Sequence, residues 1–240
     1  MSAVADILCI SSTRHPTPHD GGGGGLRAGC ARGRLQVYWD NGENENSFLR
    51  DMSNMATSGG TSVPIMTSPG NGDSGANYAR YKAQWAMPGW EKTASLYHSF
   101  DIGRAHIVGI NTEDIEHGGA AVMLAWLDAD LQAANTKAAR VTRPWVVVHF
   151  HRPAYSTGNT DAIPYKVFEP IMYKYGVDIV FSGHVHNQER TFPVYNSTLV
   201  PSPDPSRPYE NALAPVYVVS GNPGTAEPFV AVALLHFAPR

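Results

Sequence analysis

"FSGHVHNQER", residues 181–190, closes an apolar run on a glycine and then sets two histidines around one valine. The preceding "VDIV" belongs to the same run, so residues 177–183 read as a buried strand that stops at Gly183. In open α/β sheets, ligands gather where strands end and loops begin. His184 and His186 stand at such an end. Side chains at i and i+2 of an extended segment share one side, so both rings are expected to face one centre.

Two other strand ends carry comparable donors. "WVVVHFHRPAY" ends at His149 and His151, and "VPIMTSPGNGD" ends at Asn71 and Asp73. Imidazole nitrogen with amide or carboxylate oxygen suits iron, zinc or manganese. A lone histidine is read as an ordinary core or surface group, and that reading is taken for His15, His19, His98, His106, His117 and His236. Two His-x-His pairs and a Gly-Asn turn at separate strand ends point instead to a metal. His149 is read as a group outside the ligand set, either supporting it or facing solvent.

Strand-like and helix-like segments alternate along the rest of the chain. "VPIMTS", "AHIVGINT", "RPWVVVHF", "VDIVFSG", "APVYVVSG" and "FVAVALLHF" read as strands. "NSFLRDMSNMATSG", "GGAAVMLAWLDADLQAANTKAAR" and "PYKVFEPIMYKYG" read as helices, the second as one long element with Leu124, Leu127 and Leu131 on one face. The order predicts an α/β layered domain with a mixed sheet.

The 240 residues are 42% apolar, enough for a core, and the formal charge of −3 with no long basic run argues against nucleic acid or a membrane as partner. Two cysteines, Cys9 and Cys30, leave one pairing open and exclude a disulfide-rich scaffold. Residues 1–33 are Gly-rich and without periodicity, so they are expected to be poorly ordered, with residues 34–240 forming the domain proper. The five glycines lack the Gly-Lys-Ser/Thr of a phosphate loop. Asn196 opens the sequon Asn-Ser-Thr. No convincing signal peptide stands at the start.

"GHVHNQERTFPVYN" resembles the Gly-His-x-His-x-x-Glu-Arg segment of the purple acid phosphatases, members of the calcineurin-like metallophosphoesterases. "HRPAYST", "PGNGD", "NYARYKAQWAMPG", "SLYHSFDIGRAHIVGINTE" and "NALAPVYVVSGNPGTAE" resemble further segments of that family, in the same order, over about residues 38–227. The resemblance implies a β-sandwich flanked by helices, incomplete at its N-terminus. It implies paired metals, Fe(III) with Zn, Mn or Fe(II). Asn71, His151 and His184 match the ligands of the divalent metal, and His186 matches a ligand of the iron. It further implies hydrolysis of phosphate monoesters through attack of a metal-bound hydroxide, small phosphate esters or inorganic phosphate as partners, and a secreted or vacuolar location.

Departures from the family pattern shape a second expectation. The early Asp-x-Gly and Gly-Asp motifs have no counterpart, and Gly72 stands where the family has a histidine that contacts substrate. A relative that binds a single divalent metal, or phosphate, without turnover is therefore the alternative. His-x-His also marks amidohydrolases and cupins. Amidohydrolases place it on the first strand, and cupins lack long helices of the 119–140 type.

Overall fold

The computed structural model describes residues 6–9, 64–157, 167–221 and 233–235. The expected helix at 46–59, most of the Gly-rich segment and Cys30 lie outside those residues.

Strands β1 (Asp6–Cys9) and β2 (Ile65–Ser68) pair antiparallel as a small sheet. The main sheet holds β3 (His98–Ile102), β4 (Ala105–Gly109), β5 (Trp145–Phe150), β6 (Ile179–Ser182), β7 (Gln188–Thr191), β10 (Val216–Ser220) and β11 (Ala233–Leu235). Its order is β11-β7-β10-β6-β5-β4-β3. A two-stranded hairpin, β8 (Val194–Tyr195) and β9 (Thr198–Leu199), stands apart from it. The central strands β4, β5, β6 and β10 run parallel, so their carboxyl ends share one edge. The small sheet lies against β4 and β5. The expected α/β architecture with a mixed sheet is therefore present, and the strands predicted from apolar runs fall on β2, β4, β5, β6, β10 and β11.

Helices α1 (Gly75–Gln84), α2 (Trp90–Thr93) and α3 (Asp114–His117) follow β2 and β4. Helix α4 (Ala120–Ala134) buries Met123, Leu127 and Leu131, spaced four apart, while Leu124 is half-buried. These side chains pack with Val146, Val148, Phe150, Phe168 and Met172 in one core. Each buried leucine contributes about 1.5–3 kcal/mol by leaving water.

The single long helix expected over 119–140 is two helices. It breaks at Asn135 and restarts as α5 (Lys137–Thr142), where the Thr136 hydroxyl accepts from the Ala139 amide at 3.2 Å. Asn and Thr side chains compete with the helical ladder and favour caps, which periodicity alone does not register. Arg140 fixes the new direction by donating to Asn135 Oδ1, the Pro144 carbonyl and Asp178 Oδ2 at 2.9, 2.7 and 3.0 Å. Helix α6 (Glu169–Lys174) occupies the end of its predicted segment and stops before Gly176.

Candidate metal centre

Three loops meet at the shared carboxyl edge. The loop after β2 turns into a single 3-10 turn at Asn71–Asp73, held by Asp73 Oδ2 accepting from the Gly70 amide at 2.8 Å. The loop after β5 carries His151, and the loop after β6 carries His184 and His186. Asn71 Oδ1 lies 2.7 Å from His151 Nε2, and His184 Nδ1 lies 3.1 Å from the same nitrogen. The two imidazoles meet edge to face with centroids 4.9 Å apart.

One ring nitrogen cannot donate along two directions at once. A cation placed among the amide oxygen and two imidazole nitrogens satisfies all three lone pairs, so the donor set fits a divalent ion of intermediate softness. Burial pushes the His151 pKa down to about 4, with Glu113 acting against the shift and Arg152 and His186 with it. Its ring is thus neutral at ordinary pH, the form that binds metal. Among the described residues, no three His, Cys, Asp or Glu side chains form a group that could hold a metal ion. His186 is half-buried and near enough for its charge to act on His151.

The His-x-His pair is not extended, contrary to expectation. The β6 ladder ends at Ser182, and Gly183 donates across to the His151 carbonyl at 2.9 Å. The Val185 amide then donates to the Gly183 carbonyl at 2.6 Å around His184, whose φ is +60°. That is a γ-turn with a left-handed centre, a strained conformation in a residue with a side chain. It turns the His184 ring toward His151 instead of leaving it to the period of a strand. Gly221 makes room for the turn: a Cβ there would lie 1.9 Å from the Val185 carbonyl oxygen.

Glu189 and Arg152, which belong to the resembling segments but carry no role in the reading of the residues, hold these loops together. Glu189 is buried and accepts from the Thr157 amide at 2.9 Å, from Thr157 Oγ1 at 2.6 Å, from Ser156 Oγ at 3.1 Å and from the Asn187 side-chain amide. It thereby ties the loop bearing His151 to the loop bearing His184. Arg152, next to His151, donates to both carboxylate oxygens of Glu113. Buried carboxylates need such donors, but their partners lie some 30 to 40 residues away, out of reach of local pattern. His149 does not face solvent. It is 2% exposed, with Nδ1 3.0 Å from Ser68 Oγ.

The region 38–188 matches the calcineurin-like phosphoesterase family, and the chain belongs to that family. Within it, the chain is similar to the purple and type 7 acid phosphatases. It is 33% identical to the acid phosphatase type 7 of Danio rerio over 214 residues, covering 80% of this chain and 47% of that protein. It is 34% identical to the Homo sapiens protein of the same name over 207 residues, covering 78% and 45%. Against purple acid phosphatase 23 of Arabidopsis thaliana the identity is 32% over 176 residues, covering 69% and 35%. The chain thus spans half or less of the length of these curated relatives. Among the described residues, no helix is long and apolar enough to cross a membrane.

Proposed function

We propose that this chain is a metal-dependent, acid phosphatase-like hydrolase of phosphate monoesters. The observation that supports it most directly is the meeting of Asn71 Oδ1, His151 Nε2 and His184 Nδ1 at one point on the sheet edge. Asn71, His151 and His184 would hold a divalent ion, and His186 would serve a neighbouring Fe(III), with Zn, Mn or Fe(II) as its partner. Such cations supply Lewis acidity toward phosphoryl oxygens and activate water for in-line attack. The protein's own part is to keep these imidazoles oriented, through Glu189, Gly221 and the γ-turn at His184. Small phosphate esters are the substrates and inorganic phosphate the product. A secreted or vacuolar location agrees with the sequon: Asn196 is exposed at the two-residue turn between β8 and β9.

The test is metal content and hydrolysis of an aryl phosphate at acidic pH, on purified chain supplied with Fe, Zn and Mn. His184→Ala is expected to abolish both metal retention and turnover. Unchanged phosphate release in that variant would refute the reading.

A second reading has its own observation. Gly72 is exposed on the turn beside Asn71 and presents no side chain to a leaving group. General acid help from that position is absent, and such help contributes about 10²–10⁴-fold. The chain would then bind one metal, or phosphate, with no turnover. About one ion per chain and no phosphate release separate this reading from the first.

A further inference from the structure

The two-residue turn between β8 and β9 holds Asn196 and Ser197, with φ of +49° and +59°. Two left-handed centres in a two-residue hairpin loop make a type I′ turn. Asparagine tolerates the first position, while serine is costlier at the second. Buried partners hold the turn in spite of that cost. Glu169, 1% exposed, accepts from the Asn196 amide at 3.1 Å. The Tyr155 hydroxyl accepts from the Ser197 amide at 3.0 Å and itself donates to Glu169. The backbone of the turn is thus pinned from below, while Asn196 stays exposed.

Asn196, Ser197 and Thr198 spell the acceptor triplet for N-linked glycans, and it is the chain's single one. The fold adds what the triplet alone lacks. Tyr195 on β8 and Thr198 on β9 are in direct register, so their side chains stand on one face of the hairpin. Thr198, whose hydroxyl the triplet requires, is exposed. Tyr195 is half-buried, and its ring lies flat on that of Tyr173 from α6, with centroids 4.0 Å and planes 10° apart. Tyr173 is 37% exposed. A stacked pair of phenol rings, partly open to solvent, therefore flanks the acceptor amide. Aromatic faces carry negative partial charge. The C–H bonds on the flat face of an N-acetylglucosamine ring are positively polarised and suit such a surface.

We propose that Asn196 is an N-glycan attachment site whose first N-acetylglucosamine packs against the Tyr195–Tyr173 pair. The donor is a lipid diphosphate-linked oligosaccharide. Asn196 Nδ2 attacks the anomeric carbon, and the new C–N bond replaces the C–O bond to phosphate. The lipid diphosphate leaves with the electron pair, and the nitrogen gives up one proton. Because the turn and the stacked rings are already fixed, the sugar gains its contact without the cost of ordering them. The attachment rests on the secreted or vacuolar reading, which brings chain and donor together, and on none of the candidate metal ligands.

The experiment is secretion of the full chain from a eukaryotic host behind a supplied leader, so that a failed location reading does not imitate a failed site. Mass mapping of the peptide that bears Asn196, with enzymatic deglycosylation in heavy-oxygen water, reads the occupancy. Most copies are expected to carry the glycan, and a largely unmodified Asn196 overturns the site. Thermal unfolding then compares chain trimmed to one N-acetylglucosamine with the Asn196→Gln variant. The trimmed chain is expected to unfold roughly 2–4 °C higher. With Tyr195→Thr in both chains that gap is expected to vanish, and an equal gap overturns the contact with the tyrosines. Proton NMR of the sugar on the trimmed wild type decides the matter even where Tyr195→Thr fails to fold. Upfield ring-current shifts of the sugar ring protons support the contact. Shifts equal to those of free N-acetylglucosaminyl-asparagine overturn it.

Discussion

Arg152 and Glu113 form a two-pronged ion pair one residue beyond His151, with the guanidinium donating to both carboxylate oxygens at 3.0–3.1 Å. Glu113 has 1% and Arg152 9% of its side-chain surface exposed. The pair joins the loop after β4 to the loop after β5, and so braces the element that presents His151. Removing Glu113 takes away the carboxylate that accepts the close guanidinium hydrogen bonds and leaves Glu116 at 3.9 Å. Glu113→Ala is expected to lower the unfolding free energy by about 3–5 kcal/mol, measured by urea denaturation. A loss below about 1 kcal/mol would show that the pair is dispensable.

Glu189 acts on the other side of the same edge. Glu189→Ala leaves the Thr157 amide and the Asn187 side-chain amide without their acceptor, which costs about 1–3 kcal/mol. Because those donors lie on both histidine loops, zinc affinity is expected to fall along with thermal stability. A stability loss with unchanged zinc affinity would limit Glu189 to holding the fold.

A metal that binds only the folded chain stabilises it by about 2.7 kcal/mol at a hundredfold excess over Kd. Zinc is therefore expected to raise Tm in the wild type and chelator to lower it again. His151→Ala should abolish both shifts. A zinc-dependent rise in that variant would place the ion elsewhere.

His98 contributes to the acid limb of the stability curve, beside the buried His149 and His151. Its folded pKa of about 4 lies below the ordinary 6.5, because burial disfavours the charged ring. The unfolded chain thus binds the proton first. The stabilising contribution is present above pH 6.5 and is lost as pH falls toward 4, by about 3 kcal/mol if the full shift applies. Denaturant unfolding across pH 4–7 should show a slope that His98→Phe reduces by about one proton. An unchanged slope would contradict the burial argument.

His106 has the opposite sign. Burial alone would lower it, but hydrogen bonds to Asp130 and Asp101, with their charges, outweigh burial and hold it above 6.5. Its Nδ1 and Nε2 lie 2.7 and 2.9 Å from the two carboxylates. This contribution is complete below pH 6.5 and is lost as pH rises through the folded value. His106→Asn is expected to cost about 1 kcal/mol at pH 5 and nearly nothing at pH 9. Equal costs at both pH values would remove the charge from the account.

Much of the fold was legible because burial on both faces writes a strand such as "WVVVHF" as an unbroken apolar run. The candidate ligands were legible because they sit at strand ends next to glycine. What escaped depended on contacts distant in sequence. The break at Asn135–Thr136 turns on side-chain capping and on Arg140 reaching Asp178. The γ-turn at His184 turns on Gly221, 37 positions later, admitting the Val185 carbonyl. His98 looked like an isolated histidine and His149 like a companion of His151, and only the β3-β4-β5 register brings the two into contact.

The parallel run of β4, β5, β6 and β10 gives the molecule two poles with different freedoms. Candidate ligands gather past one end, while Ala105, Trp145, Ile179 and Val216 begin the strands at the other. There the β3–β4 turn exposes Gly103 and Arg104, with Gly103 at a φ of +55°. A peptide handle or fluorophore inserted between those two residues would tether the protein to a surface with its mouth facing bulk solution, leaving the histidine loops untouched.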